Sequence, residues 1–332
     1  MTAISCYDPD LGCVTILGGG PAGMSAALWS KHLGFSPLII ETNERLGGMQ
    51  QLNFLRNDWV LGQTGLNGPA LAAKFAQHMA DEHIPIERAC TPLAIKKHHE
   101  QFSLTFRKPD GAESTAHCRA IVIATGLHYR AAEVIEMTPG FRALTAKDVA
   151  YGPYAFLEME RLRGKAVLIV GCGDNAFENA KMLLAQGARV TLLCRSRPRA
   201  QTCLREAVLD SPALHGIFER ARIERFERGA EAIDVSIESA GRSIQLQVQK
   251  IHVLAGYAPN TRFLDEVLDP ALPRPRLDAA GYLVVDAWGR TTSPGIYSAG
   301  DVCNPDFPNV VSAIASGAKA AKAIEQDFRR TP

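Results

Sequence analysis

The run Val14-Thr15-Ile16-Leu17-Gly18-Gly19-Gly20-Pro21-Ala22-Gly23 decides the fold. Four β-branched or apolar residues enter a glycine cluster, and the stretch from Ala22 to Leu33 reads as a helix. A second apolar run, Pro37 to Ile40, ends at Glu41. Strand, glycine turn, helix and strand in this order open a parallel βαβ unit. The glycines fit G-x-G-x-x-G. Gly18 permits the tight turn, Gly20 lets the backbone approach a pyrophosphate, and Gly23 lets the helix pack closely on the strand. The helix N-terminus offers free N–H groups and positive dipole to phosphates. Glu41 stands 23 residues after Gly18, where a carboxylate can accept both hydroxyls of an adenosine ribose.

Working outward, a near copy of this run appears later in the chain. Residues 166–170 (AVLIV) lead into Gly171-Cys172-Gly173-Asp174-Asn175-Ala176. A helix is expected from about Asn175 to Gln186, and a strand from Arg189 to Leu193. Ala176 takes the third glycine position, where close packing needs only a small residue. The second strand ends at Cys194 rather than at an acid, and Arg195, Arg197 and Arg199 come directly after it. A carboxylate there would repel a 2′-phosphate, whereas guanidinium forks bind one. The second motif therefore points to NADPH over NADH. Cys172 and Cys194 read as packing residues.

Two such units fit the size of the chain. Its 332 residues suggest two domains, and 46% hydrophobic residues supply two cores. Lys plus Arg number 36 against 35 Asp plus Glu, so no bulk charge marks a nucleic-acid or anionic-membrane partner. No apolar run approaches the ~18 residues of a membrane span. The opening MTAISCYDPDLGC is too polar for a secretory signal. Eight cysteines at irregular spacings, with no C-x-x-C, suit reduced thiols in a cytoplasmic protein. No Cys/His spacing fits a metal, and His98 and His99 lie in a polar run.

Between and after the two motifs, residues 69–81 read as a helix. Residues 101–120 read as a hairpin turning at Pro109-Asp110-Gly111, and 232–239 with 243–249 as another around Ala240-Gly241. The stretch 271–277 is a surface connector. Gly295-Ile296-Tyr297-Ser298-Ala299-Gly300-Asp301 delivers an aspartate from a short strand into a loop. A helix is expected over 310–328, with Pro308 in its first turn.

The ordered set GGGPAG, IVIATG (121–126), GCGDNA, LAGYAPNT (254–261) and GIYSAGD resembles the two-dinucleotide-domain flavoproteins. More narrowly, it is similar to the low-molecular-weight thioredoxin reductases and to the ferredoxin–NADP reductases built on the same scaffold. The resemblance covers nearly the whole chain. It implies an α/β protein with two Rossmann-like, three-layer domains, the NADPH domain (131–258) inserted into an FAD domain made of 1–130 and 259–332. It places FAD against Gly18, Gly20, Pro21, Ala22, Gly23, Glu41, Gly48, Gln50, Thr125, Gly126, Gly300, Asp301, Asn309 and Val310. Asp301 is implied to meet the ribityl–pyrophosphate region. The helix after Pro308 is implied to aim its N-terminus, near Asn309 and Val310, at the isoalloxazine C2 carbonyl. NADPH is implied at Gly171, Gly173, Asp174, Asn175, Ala176, Arg195 and Arg197. The resemblance also implies a homodimer.

The departures bear on the acceptor. Thioredoxin reductases carry a C-x-x-C just before the second motif, but the corresponding segment here, about 141–165, has no cysteine. Related bacillithiol-type reductases place a cysteine directly after GGGP, where this chain has Ala22. Without a dithiol, nothing takes two electrons and exchanges with a protein disulfide. Cys303, just past Asp301, is the remaining thiol candidate. Trp59 and Tyr129 are core residues or neighbours of the flavin. The favoured reading is an NADPH-dependent FAD oxidoreductase serving a ferredoxin-like redox protein or a small-molecule acceptor. Its rivals are a disulfide reductase or dithiol oxidase using an unorthodox cysteine, and a non-catalytic flavin-binding redox sensor.

Overall fold

The computed structural model describes residues 2–4 and 12–330; Cys6 lies outside them. The chain divides into two compact units, 1–128 with 258–332, and 129–257. In the first, five parallel strands run in the order Ile296–Ser298, Ala120–Ile123, Cys13–Leu17, Ser36–Ile40, Ile86–Glu87. In the second, the order is Val149–Tyr151, Lys250–Val253, Ala166–Val170, Arg189–Cys194, Leu214–Glu219, again all parallel. Each unit adds a smaller sheet: in the first, antiparallel Thr91–His98, Gln101–Arg107 and Glu113–Cys118 with Thr2–Ile4 parallel at its edge, and in the second, antiparallel Arg222–Arg228, Ile233–Ser239 and Arg242–Val248. Both units are thus three-layer Rossmann-like domains, and the second is inserted in the first.

Layering explains why the central strands read as unbroken apolar runs rather than as alternation. Val14 and Ile16 face the helices, packing with Ala22, Ala26, Ala320 and Ile324. Cys13 and Leu17 face the other way, onto Phe102, Leu104 and Phe106 of the antiparallel sheet. Val167 and Ile169 likewise meet Phe177, Ala180 and Leu183, while Leu168 and Val170 meet Phe226, Val235 and Ile237. Fully burying such a side chain contributes about 1.5–3 kcal/mol.

The Pro21–His32 helix starts with Pro21, whose missing N–H and fixed φ suit a first turn, and ends on Lys31 and His32, which complement the dipole. The long Val310–Arg330 helix lies against it. A Cβ at Gly317 would stand 2.2 Å from the Ala22 carbonyl oxygen, so glycine permits that close approach.

The hairpin at 109–111 forms, with Gly111 at φ +85° and its N–H on the Lys108 carbonyl at 2.9 Å. The second hairpin turns at Ala240 and Gly241, with φ of +53° and +75°. The sequence reading missed the strands Thr91–His98 and Arg222–Arg228, whose alternation is blurred by charged and half-exposed residues. The last helix begins at Val310, the expected start; Asn309 caps it, accepting the N–H groups of Val311 and Ser312 at 2.9 Å each, so Pro308 precedes its first turn.

Candidate dinucleotide sites

In the first unit, the Gly18 N–H donates to the Ile40 carbonyl at 2.9 Å, tying the loop to the end of the second strand. Gly18 has φ +107°, and a Cβ there would stand 2.4 Å from the Ala124 oxygen. At Gly23 a Cβ would stand 1.9 Å from the Gly18 oxygen. These two glycines answer to the protein's own packing. Gly20 does not: its φ is −75°, open to any residue, and a Cβ there meets only the Gly48 Cα at 3.9 Å. The free approach in front of Gly20 is what an incoming pyrophosphate needs. Gly20 caps its helix with no side-chain bond, and Pro21 has no N–H, so Ala22 and Gly23 offer the first uncapped donors.

Glu41 is 4% exposed. Its Oε2 accepts the Gly19 N–H at 2.6 Å, and its Oε1 accepts the backbone and side-chain N–H of Asn43 at 2.7 and 2.8 Å. The carboxylate is therefore first a brace for the loop, with the lone pairs that remain available to a ribose. Sequence reasoning missed Asn43, whose backbone and side-chain N–H groups both reach back to the acid. Gly48 lies opposite Gly20, and the Gln50 side chain accepts from Asn57 Nδ2 at 2.9 Å.

The third signal meets the first. A Cβ at Gly300, φ +82°, would stand 2.7 Å from the Ala22 Cβ, so only glycine lets this loop reach the start of the first helix. Asp301 comes next, half-buried, with Oδ1 shielded from water and unpartnered. Burial pushes its carboxyl up to about 6, against the opposing pull of the Asn309 backbone N–H. An orphaned buried oxygen beside an uncapped helix start and an open glycine fits the polar part of a dinucleotide. At Asn309 the side chain occupies the N–H groups of Val311 and Ser312, leaving the Val310 N–H as the first donor of that helix.

Thr125 and Gly126 have a different part. The Thr125 hydroxyl donates to the Asn260 carbonyl at 2.8 Å, and Asn260 donates its side-chain N–H to the Thr125 carbonyl at 2.8 Å. The Asn260 backbone N–H meets the Gly126 carbonyl at 3.0 Å. Thr125 is thus a clamp on the returning chain rather than a free ligand group.

The second unit repeats the geometry position by position. The Gly171 N–H donates to the Leu193 carbonyl at 3.0 Å, as Gly18 does to Ile40. Gly173 leads into the Asp174–Ala185 helix, has φ −98°, and nothing of the protein lies within 4 Å of where its Cβ would be. Ala176 stands where the first unit has Gly23. The Asp174 carboxylate is engaged by the Gln201 backbone and side-chain N–H at 2.8 and 3.1 Å. Asn175 Nδ2 donates to the Tyr257 hydroxyl at 3.0 Å. Arg195 and Arg197 are exposed, and among the described residues neither is paired with a carboxylate. The remaining strand-end residue, Cys194, is buried, and its thiol is pushed up to about 12 by burial.

Three of these residues take definite places, and one of them differs from expectation. Cys303 packs against the core beneath the sheet, its thiol lies 3.3 Å from the Gly300 carbonyl, and burial raises its pKa, so it is not an exposed redox thiol. Trp59 is 87% exposed, hence not core. Cys172 is half-buried, with its thiol 3.7 Å from the Ser196 hydroxyl. The cysteine-free segment 141–165 builds one wall of a cavity of about 210 Å³, lined by Tyr129, Tyr151, Tyr154, Leu157, Glu158 and Lys250. There the buried Lys250 ammonium donates to Glu158 Oε2 and the Lys147 carbonyl, both at 3.0 Å. Among the described residues no cluster of metal-ligating side chains occurs. No described helix is long and apolar enough to cross a membrane.

Two Rossmann-like units, one inserted in the other and each with an open glycine loop at a helix start, define a two-dinucleotide protein. The chain belongs to the pyridine nucleotide-disulphide oxidoreductase family, whose model matches residues 13–317. It is 29% identical over 326 residues to the F subunit of alkyl hydroperoxide reductase from Pseudomonas putida, covering 96% of this chain and 58% of that protein. The chain thus spans under two thirds of the length of that relative. It is 26% identical over 322 residues to thioredoxin reductase of Streptomyces coelicolor, covering 95% and 94%. Thioredoxin reductase of T. acidophilum shares the fold with a TM-score of 0.78 at 24% identity, covering 96% of this chain and 99% of that one.

Proposed function

We propose that the protein is an FAD-dependent NAD(P)H oxidoreductase, with FAD on the first unit and NADPH on the second. We place its electron acceptor outside its own chain, as a ferredoxin-like protein or another one-electron carrier. The observation that carries this reading is the pair Gly20 and Gly173. Each is a glycine that the protein's own packing does not require, at an uncapped helix start after the first strand of a Rossmann-like unit. Family membership supports the pyridine nucleotide. When bound, the nicotinamide supplies a hydride and the flavin relays its electrons onward.

The chain's residues hold and orient. The N–H groups of Ala22 and Gly23 would hold one pyrophosphate, and Asn175 and its neighbours would hold the other. Asp301, protonated below about pH 6, can donate a hydrogen bond as well as accept one. Arg195 and Arg197 are free to take a 2′-phosphate. An acceptor other than a thiol of this chain is supported by the absence of cysteine from 131–165 and by the burial of Cys303.

The test is anaerobic. The purified protein should be yellow with one FAD per chain, and NADPH should bleach it. Acceptors are then added singly: ferredoxin, flavodoxin, a quinone, thioredoxin and low-molecular-weight disulfides. Ferredoxin or dye reduction without thioredoxin turnover is the expected result. Thioredoxin turnover that vanishes on replacing one cysteine would overturn the carrier reading. Bound FAD without turnover on any acceptor would favour the sensor. Sedimentation tests the homodimer.

A further inference from the structure

We propose that Cys172 and Cys194 form a reversible disulfide under hydroperoxide, and that this bond closes the second dinucleotide loop to its nucleotide. The effect on the nucleotide rests on the reading above; the thiol chemistry does not.

The two units place the pair. Leu17 pairs with Ile40 and Val170 with Leu193 in the same parallel register. Cys172 therefore stands where the first unit has Gly19, and Cys194 where it has Glu41. In the first unit these positions touch: Gly19 donates to Glu41, and a Cβ on Gly19 would lie 3.4 Å from the Glu41 Cβ. Bridged cysteines have Cβ atoms about 3.5–4.5 Å apart. In the second unit the same two positions carry thiols, and the Cys172 thiol adds to the burial that holds the Cys194 thiol protonated.

Their surroundings divide the work. Cys172 is partly exposed, near Ser196 at 3.7 Å, on a loop bordered by the exposed Arg195, Arg197 and Arg199. A cation-rich, partly exposed setting is where peroxides attack sulfur. Cys194 is buried with its thiol 3.6 Å from the Gly171 carbonyl, shielded from the peroxide but in reach of its partner. In the first step the Cys172 sulfur attacks the peroxide, the O–O bond breaks, and an alcohol or water leaves with the proton. Cys172 then carries a sulfenic acid. In the second step the Cys194 sulfur attacks it, the S–O bond breaks, the S–S bond forms, and the thiol proton leaves with the hydroxyl as water. Each sulfur loses one electron, and the peroxide takes two.

Oxidation acts on the nucleotide through the loop. Cys172 sits between Gly171 and Gly173, and its carbonyl accepts the Arg199 N–H at 2.8 Å. Drawing it onto Cys194 pulls the loop toward the end of the second strand, the side on which a ribose would lie.

The experiment treats the isolated protein with hydrogen peroxide, blocks remaining thiols, and maps tryptic peptides. Residues 166–181 and 190–195 fall in separate peptides. They should appear linked, and dithiothreitol should separate them. In parallel, NADP+ affinity is measured by calorimetry and should fall about tenfold or more on oxidation, returning with dithiothreitol. Cys172→Ser and Cys194→Ser should each abolish the link, and the double replacement should keep its affinity under peroxide. Absence of the linked peptide, with Cys172 sulfinylated or other cysteines oxidised first, would overturn the proposal. A linked peptide with unchanged NADP+ affinity would overturn the lock. A reduced protein that ignores NADP+ yet forms the link would overturn the function reading and uphold the thiol pair.

Discussion

Glu41 and Cys194 end the second strand of their units at the same topological place, and they do opposite things. Glu41 is an ionisable group buried because three N–H groups of Gly19 and Asn43 meet it. Cys194 is a small, largely apolar residue whose thiol meets the Gly171 carbonyl at 3.6 Å and is kept protonated by burial. The first loop is thereby braced by charge and leaves a carboxylate edge for a ribose. The second loop has no such brace and presents exposed arginines beyond it. One backbone geometry thus recurs in the two units, which differ in the side chain at one strand end and in the residues just beyond it.

The glycines sharpen the comparison most. Gly23→Ala puts a Cβ 1.9 Å from the Gly18 carbonyl oxygen, so the loss should exceed about 4 kcal/mol, or soluble protein should fail to accumulate. At the matching position Ala176 is native, and Ala176→Gly should cost only about 1 kcal/mol by urea denaturation. Equal tolerance at the two sites would break the assignment of distinct packing.

Gly20→Val should leave circular dichroism and unfolding midpoint nearly unchanged while FAD retention is lost. Gly173→Val should do the same for NADPH. A folded Gly20→Val protein that keeps one FAD per chain would remove the main support for the first site.

Glu41→Ala leaves the Gly19 and Asn43 donors without their acceptor and should cost about 3 kcal/mol. Cys194→Ala removes a single sulfur from a packed site and should cost about 1 kcal/mol. Urea unfolding of both variants at one pH decides whether the strand-end acid is structural.

Asp301 sharpens the contrast through pH. Its native carboxyl holds a proton up to about pH 6, whereas an unperturbed one releases it near 3.8. Between these values the native state binds more protons than the unfolded state, so stability falls as pH rises through that window. In flavin-free protein Asp301→Asn should therefore recover up to about 3 kcal/mol at pH 7 and little at pH 4. A variant with the same pH profile as the parent would show that the carboxyl is not strained.

The smallest effect concerns the second loop's arginines. Arg195→Ala and Arg197→Ala should each lower NADPH over NADH selectivity by about tenfold, the weight of one charge-assisted hydrogen bond. Equal flavin reduction by both cofactors in stopped flow would show that the arginines are only surface charge.

Much of the site was legible because glycines report backbone demands directly. Gly18, Gly23 and Gly300 are required by clashes with Ala124, Gly18 and Ala22, and a fixed motif spacing is how such local demands enter a sequence. Residues acting through long-range pairing were not legible. Asn260 clamps Thr125 from 135 residues away, and Ser316 takes the Gly300 N–H at 2.8 Å from the last helix. Trp59 was misplaced for the same reason. An aromatic ring or a thiol alone says nothing about which side of a sheet or loop it will occupy.

By itself the sequence determined the two βαβ openings and the chemical character of each strand end. These rest on local periodicity, glycine spacing and residue type, all of which act within a few residues. Tertiary structure alone decided that the Glu41 carboxylate braces its own loop, that one oxygen of the half-buried Asp301 is shielded and unpartnered, and that Cys172 and Cys194 stand at positions matching Gly19 and Glu41. Each depends on which strands lie side by side, and that is set by the packing of two faces of a sheet against layers drawn from distant parts of the chain.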